Sequence, residues 1–358
     1  MTIKDKNLYY VGGVVRDDFL DKESLDIDYC YEGNAIDFAK KMEIVKVNPD
    51  FGTVRVIDSG KEIDIASTRK ESYPRAGHLP IVVKIGCSLL EDLSRRDFTI
   101  NSMAKNTLSG KLYDPFNGLS DLKEKKIRVL HKDSFIDDPT RILRGLKFSV
   151  RFGFELEEHT KYLQDEYLAN INYDISYHRL KKELKETFNL NKIKAFNIFI
   201  EQGIYKLLGQ NQVVHSINFK IESLIDKYKP EHAWLIYLAN FDLSNLELNS
   251  QEKGVIEGFE SIKNKNFDDD FDVYSIFKNL PLESILLYTL YVNEVVGIKY
   301  LENLSEVKIE IDGNDLKNLG IPQGKVYSEI LEEVLKAKIM SPSMSKEEEL
   351  ELVKSLRF

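Results

Sequence analysis

"YYVGGVVRDDFLDKESLDIDYC", residues 9–30, is the stretch on which the fold turns. An apolar run ends in two adjacent glycines, Gly12 and Gly13, where the missing side chains let backbone N–H groups come close to a ligand. Arg16 follows one helical turn later, placed to share the charge of an anion held at those N–H groups. A dozen residues on, "LDIDYCY" alternates as a strand does, so Asp26 and Asp28 project to one side while Leu25, Ile27 and Tyr29 face the other. Two anions on one face repel each other unless a cation joins them, and a hard divalent ion such as Mg²⁺ takes one or two carboxylates together with substrate phosphates. Acids on an exposed sheet face are the plain alternative.

A third carboxylate has the same setting. In "EIDIAST", Asp64 lies between two isoleucines and would face the same cleft from a neighbouring strand. A glycine phosphate cradle and strand-borne acids so close together fit phosphoryl transfer at a two-metal site.

The chain of 358 residues has 42% hydrophobic and 30% charged residues, which is globular composition with room for two or three domains. No apolar run reaches the roughly 20 residues of a membrane helix, and the start of the chain lacks an apolar leader. Cys30 and Cys87 lack metal-ligand spacing and read as core residues in a reducing cytoplasm. The formal charge of −9 speaks against a nucleic-acid partner until its distribution is read. Residues 141–194 carry 11 basic against 8 acidic side chains, net +3, whereas residues 201–310 carry 10 against 18, net −8. A local basic surface on an acidic body remains compatible with RNA.

Strand patterns at "LYYVGGVV", "GTVRVID" and "EIDIAST" and a helical pattern at "GNAIDFAKKME" make residues 1–136 an α+β head, a small mixed sheet with helices. Helical periodicity takes over from "DDPTRILRGLKFSVRF", giving an all-α neck (137–208), body (209–310) and tail (311–358), with an exposed loop at "NKNFDDDFD", 264–272. On a helical wheel, Arg141, Arg144, Lys147 and Arg151 form a basic stripe opposite Ile142, Leu143, Leu146 and Val150. That stripe would track RNA phosphates, with Arg179, Lys181, Lys182 and Lys185 extending it; a solvated helix face is the competing account.

"GGVVRD" with "LDIDY" resembles the signature of the nucleotidyltransferase superfamily that includes DNA polymerase beta, and specifically that of the bacterial (class II) tRNA nucleotidyltransferase and poly(A) polymerase family. Further motifs arrive in that family's order: "RRDFTINSMA" (95–104), "DPFNG" (114–118), "DDPTR" (137–141) and "ISYHRLKKEL" (175–184). The resemblance implies Asp26 and Asp28 as metal ligands and catalytic carboxylates, and the strand pattern adds Asp64 to the catalytic set. It supports a nucleotide site of Gly12, Gly13, Arg16, Arg95, Arg96, Asp97, Asp138, Arg141 and Arg144, while the basic stripe would supply RNA contacts at Lys147, Arg151, Arg179 and Lys182. In the family the positions of Asp138 and Arg141 read the incoming base. A carboxylate accepting from cytosine N4 or adenine N6, beside a guanidinium donating to N3 and O2 or to N1, suits C and A and refuses U and G. The implied activity is CCA addition to the tRNA acceptor end from CTP and ATP with Mg²⁺, with A addition or poly(A) synthesis as alternatives and no membrane or DNA partner. "RKESYPRAGHLP", 69–80, occupies the place of the family's flexible loop at a length that leans away from CC-only addition.

Overall fold

The computed structural model describes residues 3–24, 27–210 and 217–356. The chain divides into two compact units, Met1–Val214 with Asp242–Glu247, and His215–Phe241 with Leu248–Phe358. The first unit holds the residues expected as head and neck together with Asp242–Glu247 from the expected body, and the second holds most of the expected body and all of the expected tail.

The first unit opens with β1 (Leu8–Val11), α1 (Gly13–Phe19), β2 (Tyr29–Tyr31), α2 (Ala35–Phe38), β3 (Glu43–Asn48), β4 (Thr53–Asp58) and β5 (Lys61–Ser67). There follow β6 (Arg69–Ser72), β7 (Ile81–Ile85), α3 (Leu89–Ser94), β8 (Ala104–Asn106), β9 (Leu112–Tyr113) and α4 (Gly118–Lys123). Among the described residues the main sheet has seven strands in the order β3-β4-β5-β2-β1-β8-β9. Only the β2–β5 pair in it is parallel, with Tyr29 opposite Ile65. Alternation along the strands divides the core between the two faces. Leu8, Tyr29, Val54, Val56, Ile63 and Ile65 pack with α2 on one side, and Val11, Cys30 and Ala104 with Leu89 and Leu93 of α3 on the other. Cys30 and Cys87 are both free and buried, and burial pushes both thiols up in pKa.

Two details of the head differ from the sequence expectation. The strand expected across "LDIDYCY" begins only at Tyr29, and Ile27 is 39% exposed instead of facing the core. The edge strand β3 carried no legible signal, because every one of its six residues is exposed and no in–out alternation marks it.

The helices α5 (Ser134–Asp137), α6 (Thr140–Phe152), α7 (Glu158–Ala169), α8 (Tyr177–Phe188) and α9 (Ile193–Glu201) complete this unit. α6 lies against α8 and is buried on nearly all sides.

The second unit is helical: α10 (Ile221–Tyr228), α11 (Ala233–Leu238), α12 (Ser250–Ile262), α13 (Asp270–Phe277), α14 (Leu282–Tyr291), α15 (Glu294–Lys299), α16 (Gly313–Asn318), α17 (Lys325–Met340) and α18 (Lys346–Ser355). α11 and most of α14 are buried all round, as expected of helices apolar on every face. Close approach replaces side-chain interlock at Gly297, where a Cβ would stand 2.0 Å from Thr289 Oγ1. The loop expected over 264–272 ends at Asp269, which caps α13 by accepting from Asp272 N. Ile311, Leu316, Ile330, Val334 and Val353 form a separate small core for the final helices.

Candidate active site

A cavity of about 540 Å³ in the first unit brings the motifs together. Gly12 and Gly13 line it from the end of β1, Asp28 from the approach to β2, Arg95, Arg96 and Asp97 from the end of α3, and Asp138, Arg141 and Arg144 from the start of α6. Gly12 adopts φ +71°, which a side chain would strain, and a Cβ there would lie 3.1 Å from Arg96 Nη1 and 3.7 Å from Asp28 Oδ2. The glycine therefore keeps clear the space between a guanidinium and a carboxylate.

The arginines around this space have unequal roles. Arg96 pairs with Asp92 at 3.1 Å, yet its Nε is buried and makes no hydrogen bond among the described residues. An orphan guanidinium donor beside a glycine turn is a feature that an anionic ligand would satisfy. Arg95 is held by Asp92 and Glu71 at 2.9 and 3.0 Å and serves the wall. Arg16, expected to hold phosphate, is 4% exposed; its Nε donates to Asp17 at 2.8 Å and its Nη1 to Asn101 at 2.7 Å. It touches the cavity as a strut, with its guanidinium over the Phe152 ring at 4.6 Å.

Asp97 ties head to neck. Its Oδ2 accepts two hydrogen bonds from Arg144, at 2.8 and 2.7 Å, while Oδ1 accepts from Phe98 N and Asn101 Nδ2. Burial alone would raise its pKa, but the Arg144 charge and the Asn101 and Arg144 hydrogen bonds prevail and hold it at about 2.

The base-reading pair of the sequence analysis is present, though the two side chains do not bond to each other. Asp138 accepts from Thr140 N and Oγ1 at 3.1 and 2.6 Å and pairs with Arg179. Arg141 donates to Ser134 Oγ at 2.9 Å, to the Arg95 carbonyl at 3.0 Å and to Tyr73 Oη at 3.4 Å. Arg179, expected on an RNA-facing surface, thus belongs to the cavity wall.

The basic stripe requires correction. Lys147 is 9% exposed and its Nζ donates to Glu183 and Glu186 at 2.8 and 2.5 Å, while Arg144 bridges Asp97 and Glu183. The wheel separated charged from apolar positions correctly but had no view of α8, whose glutamates neutralise the stripe. Arg151 and Lys182 are exposed, as a phosphate contact would require.

Asp26 lies outside the described residues. Asp64 sits on β5 beside Asp28, since Tyr29 pairs with Ile65 one position further along. Its carboxylate accepts two 2.8 Å hydrogen bonds from Arg55 on β4, which holds it below the ordinary carboxylate pKa range. Asp28 and Asp64 thus offer only oxygen donors on one sheet face, which suits a hard divalent cation. Among the described residues no group of three or more acidic, histidine or cysteine side chains forms a complete metal site.

The segment 69–80 forms β6 and the turn that joins it to β7 in an antiparallel hairpin, and the tip of that hairpin is docked on the neck. Gly77 N donates to the Asp137 carbonyl at 3.1 Å, Ser176 N donates to the Gly77 carbonyl at 3.0 Å, and Arg75 and His78 both bond to Asp174. This brings Tyr73, Leu79 and Pro80 to the cavity, a set no local pattern singled out. Asp92 was legible in principle, because it precedes Arg95 and Arg96 by three and four residues on one helix. Asp114 accepts from Gly118 N and Leu119 N at 2.7 and 2.9 Å, so that motif anchors the start of α4.

Comparison with known proteins gives the family and the fold. Residues 8–128 match the family model of the poly A polymerase head domain. An A-adding tRNA nucleotidyltransferase from Aquifex aeolicus is 36% identical over 93% of this chain, and the chain spans 45% of that relative's length. A CCA-adding enzyme in an apo form superposes with a TM-score of 0.79 at 30% identity, over 98% of this chain and 92% of that one. A Thermotoga maritima CCA-adding enzyme complexed with tRNA gives 0.77 at 28% identity, over 97% and 90%. No helix among the described residues is long and apolar enough to cross a membrane. With a poly A polymerase head joined to a helical remainder, and with motifs from 130 residues of sequence gathered on one cavity, the chain belongs to the family of CCA-adding and A-adding tRNA nucleotidyltransferases.

Proposed function

We propose that this protein extends tRNA 3′ ends without a nucleic-acid template, adding CCA from CTP and ATP. The observation that carries the reading is the shared cavity. A side-chain-free turn and an orphan guanidinium suited to a triphosphate stand in the same space as a carboxylate and a guanidinium suited to the edge of C or A. Gly12, Gly13 and Arg96 bind the triphosphate, and Asp97 fixes Arg144 and so the seat of the sugar. Asp138, steadied by Thr140 and Arg179, and Arg141, steadied by Ser134, present an acceptor and a donor to the base. Arg179 and Thr140 fix the Asp138 carboxylate in place as an acceptor, and a carboxylate facing the oxygen that uracil and guanine present there would refuse both.

Asp26 and Asp28 would hold Mg²⁺, which supplies neutralising charge to the phosphates and acidifies the attacking hydroxyl. In the transfer a bond forms between the RNA 3′ oxygen and the α-phosphorus. The bond from that phosphorus to the bridging oxygen breaks, pyrophosphate leaves, and the hydroxyl proton passes to water. The chain's own residues position and shield; none becomes covalently attached.

A second reading, addition of the terminal A alone, is favoured by the 36% identity to an A-adding enzyme. Single-turnover extension separates the two, using tRNA ending at the discriminator base and tRNA ending in CC, each offered the four nucleoside triphosphates with Mg²⁺. Two C additions followed by one A on the first RNA are expected. Use of ATP alone, once, on the CC end would establish the second reading, and no transfer to either RNA would overturn both.

A further inference from the structure

Asn101 lines the nucleotide cavity, buried between two side chains of opposite charge. Its Oδ1 accepts from Arg16 Nη1 at 2.7 Å, and its Nδ2 donates to Asp97 Oδ1 at 2.9 Å. A guanidinium carries donors alone and an ionised carboxylate acceptors alone, so one orientation of the amide serves both neighbours and the flipped one serves neither. The two neighbours belong to different parts of the cavity. Arg16 braces the glycine turn, since a Cβ at Gly13 would stand 3.4 Å from its Nη2, and its bond to Asp17 stays within α1. Asp97 instead holds Arg144 on α6.

Asn101 is itself firmly placed. It ends a short 3₁₀ turn, Thr99–Asn101, against which α1 packs. Thr99 N donates to the Arg128 carbonyl at 2.9 Å and Thr99 Oγ1 to Asp121 at 2.6 Å. The Thr99 carbonyl also lies so close to Gly118 that a Cβ there would stand 2.2 Å away. With its turn anchored on three sides, the amide is a fixed point to which Arg16 and Asp97 are both referred.

We propose that Asn101 is a positioning residue that sets the spacing between the triphosphate turn and the sugar seat, and through it the preference for a ribonucleotide. The inference rests on the proposed nucleotidyl transfer. A nucleotide held at its phosphates by the glycine turn and at its base by Asp138 and Arg141 has its sugar where the gap between the turn and the Asp97–Arg144 pair leaves it. In-line attack is sensitive to a displacement of about 1 Å at the reacting centre, so a change in that gap lowers the rate more than the affinity. A 2′-hydroxyl is told from a hydrogen by polar groups held in register with it, so the same change erodes sugar discrimination.

The test compares wild type, Asn101→Ala and Asn101→Asp as full chains. Asn101→Asp keeps the acceptor that Arg16 uses and sets an anion against Asp97, whereas Asn101→Ala removes both bonds. Steady-state extension of tRNA with CTP or ATP and with the matching 2′-deoxynucleotide gives kcat and KM for each. The ratio of the two kcat/KM values does not depend on how much of a variant is folded. For Asn101→Ala, kcat with the ribonucleotide falls about tenfold and the ribo-over-deoxy ratio about fivefold, while KM for tRNA stays unchanged. Asn101→Asp loses more of both. A ratio equal to wild type in both variants would overturn the assignment and leave Asn101 a packing residue. Activity of Asn101→Asp close to wild type would overturn it too, by reducing the tie to its Arg16 end. If the wild-type chain transfers nothing to any RNA, the functional reading fails, and calorimetric dissociation constants for the same nucleotide pairs decide the role of Asn101: a shifted ratio keeps it and an unshifted one overturns it.

Discussion

Both units of this protein bury charged side chains, and they use them differently. In the second unit each buried carboxylate serves nearby structure. Glu283 accepts from His232 N at 2.8 Å, Glu349 accepts from Glu310 N and Ile311 N while pairing with Lys338, and Glu252 completes a capping box with Asn249. In the first unit the buried Asp97, Asp138 and Arg141 line one cavity, tied to partners in ways that leave edges facing the empty space. Burial of charge therefore does not mark a functional site by itself. Its convergence on a shared space, with a donor such as Arg96 Nε left over, does.

The contrast is most sharply tested at Asp28. Asp28→Ala removes an exposed carboxylate, so nucleotide transfer falls by at least about 10²-fold while the melting temperature stays put. Turnover within a few-fold of wild type would remove Asp28 from the reacting centre. At Asp97 the effect reaches both function and stability. Asp97→Ala takes from the half-buried Arg144 its closer partner, leaving it Glu183, and costs about 2–3 kcal/mol in urea unfolding. Because its folded pKa of about 2 lies below its ordinary 3.8, Asp97 contributes full stability above about pH 4 and loses it as pH falls towards 2, a span of about 2 kcal/mol. Acid titration of wild type and Asp97→Ala should differ in that window and converge below it. The smallest effect belongs to the second unit. Gly297→Ala forces a methyl onto Thr289 and destabilises by about 1–3 kcal/mol. Nucleotide affinity of the folded fraction remains unchanged; a loss of affinity without a loss of stability would overturn the packing role given to Gly297.

The parts of the fold legible in the sequence were those whose signal is local. Alternation marked β4 and β5, the paired glycines marked the end of β1, and helical spacing marked α6 and α8. β3 was not legible, since a strand exposed on both faces lacks the alternation that burial imposes. Most of the proposed site was readable as ordered motifs, but not the partners of its residues. Lys147 looked like a phosphate ligand because Glu183 and Glu186 lie more than thirty residues on, and Arg179 looked like an RNA contact because Asp138 lies 41 residues back. Tyr73 entered the cavity only through the docking of a hairpin tip on the neck. Side-chain chemistry is written locally, whereas whether a charge is spent or available is settled by the tertiary pairing.

The strand that carries the glycine turn is held on one flank by β2 and on the other by β8, with Tyr9 paired to both Cys30 and Asn106. The second of these partners is made almost a hundred residues later in synthesis. A nascent head can therefore close its β3-β4-β5 meander early, while the turn waits with one flank open until residue 106 has left the ribosome. Truncations that stop short of β8 would leave β1 an unprotected edge, prone to pairing with another chain.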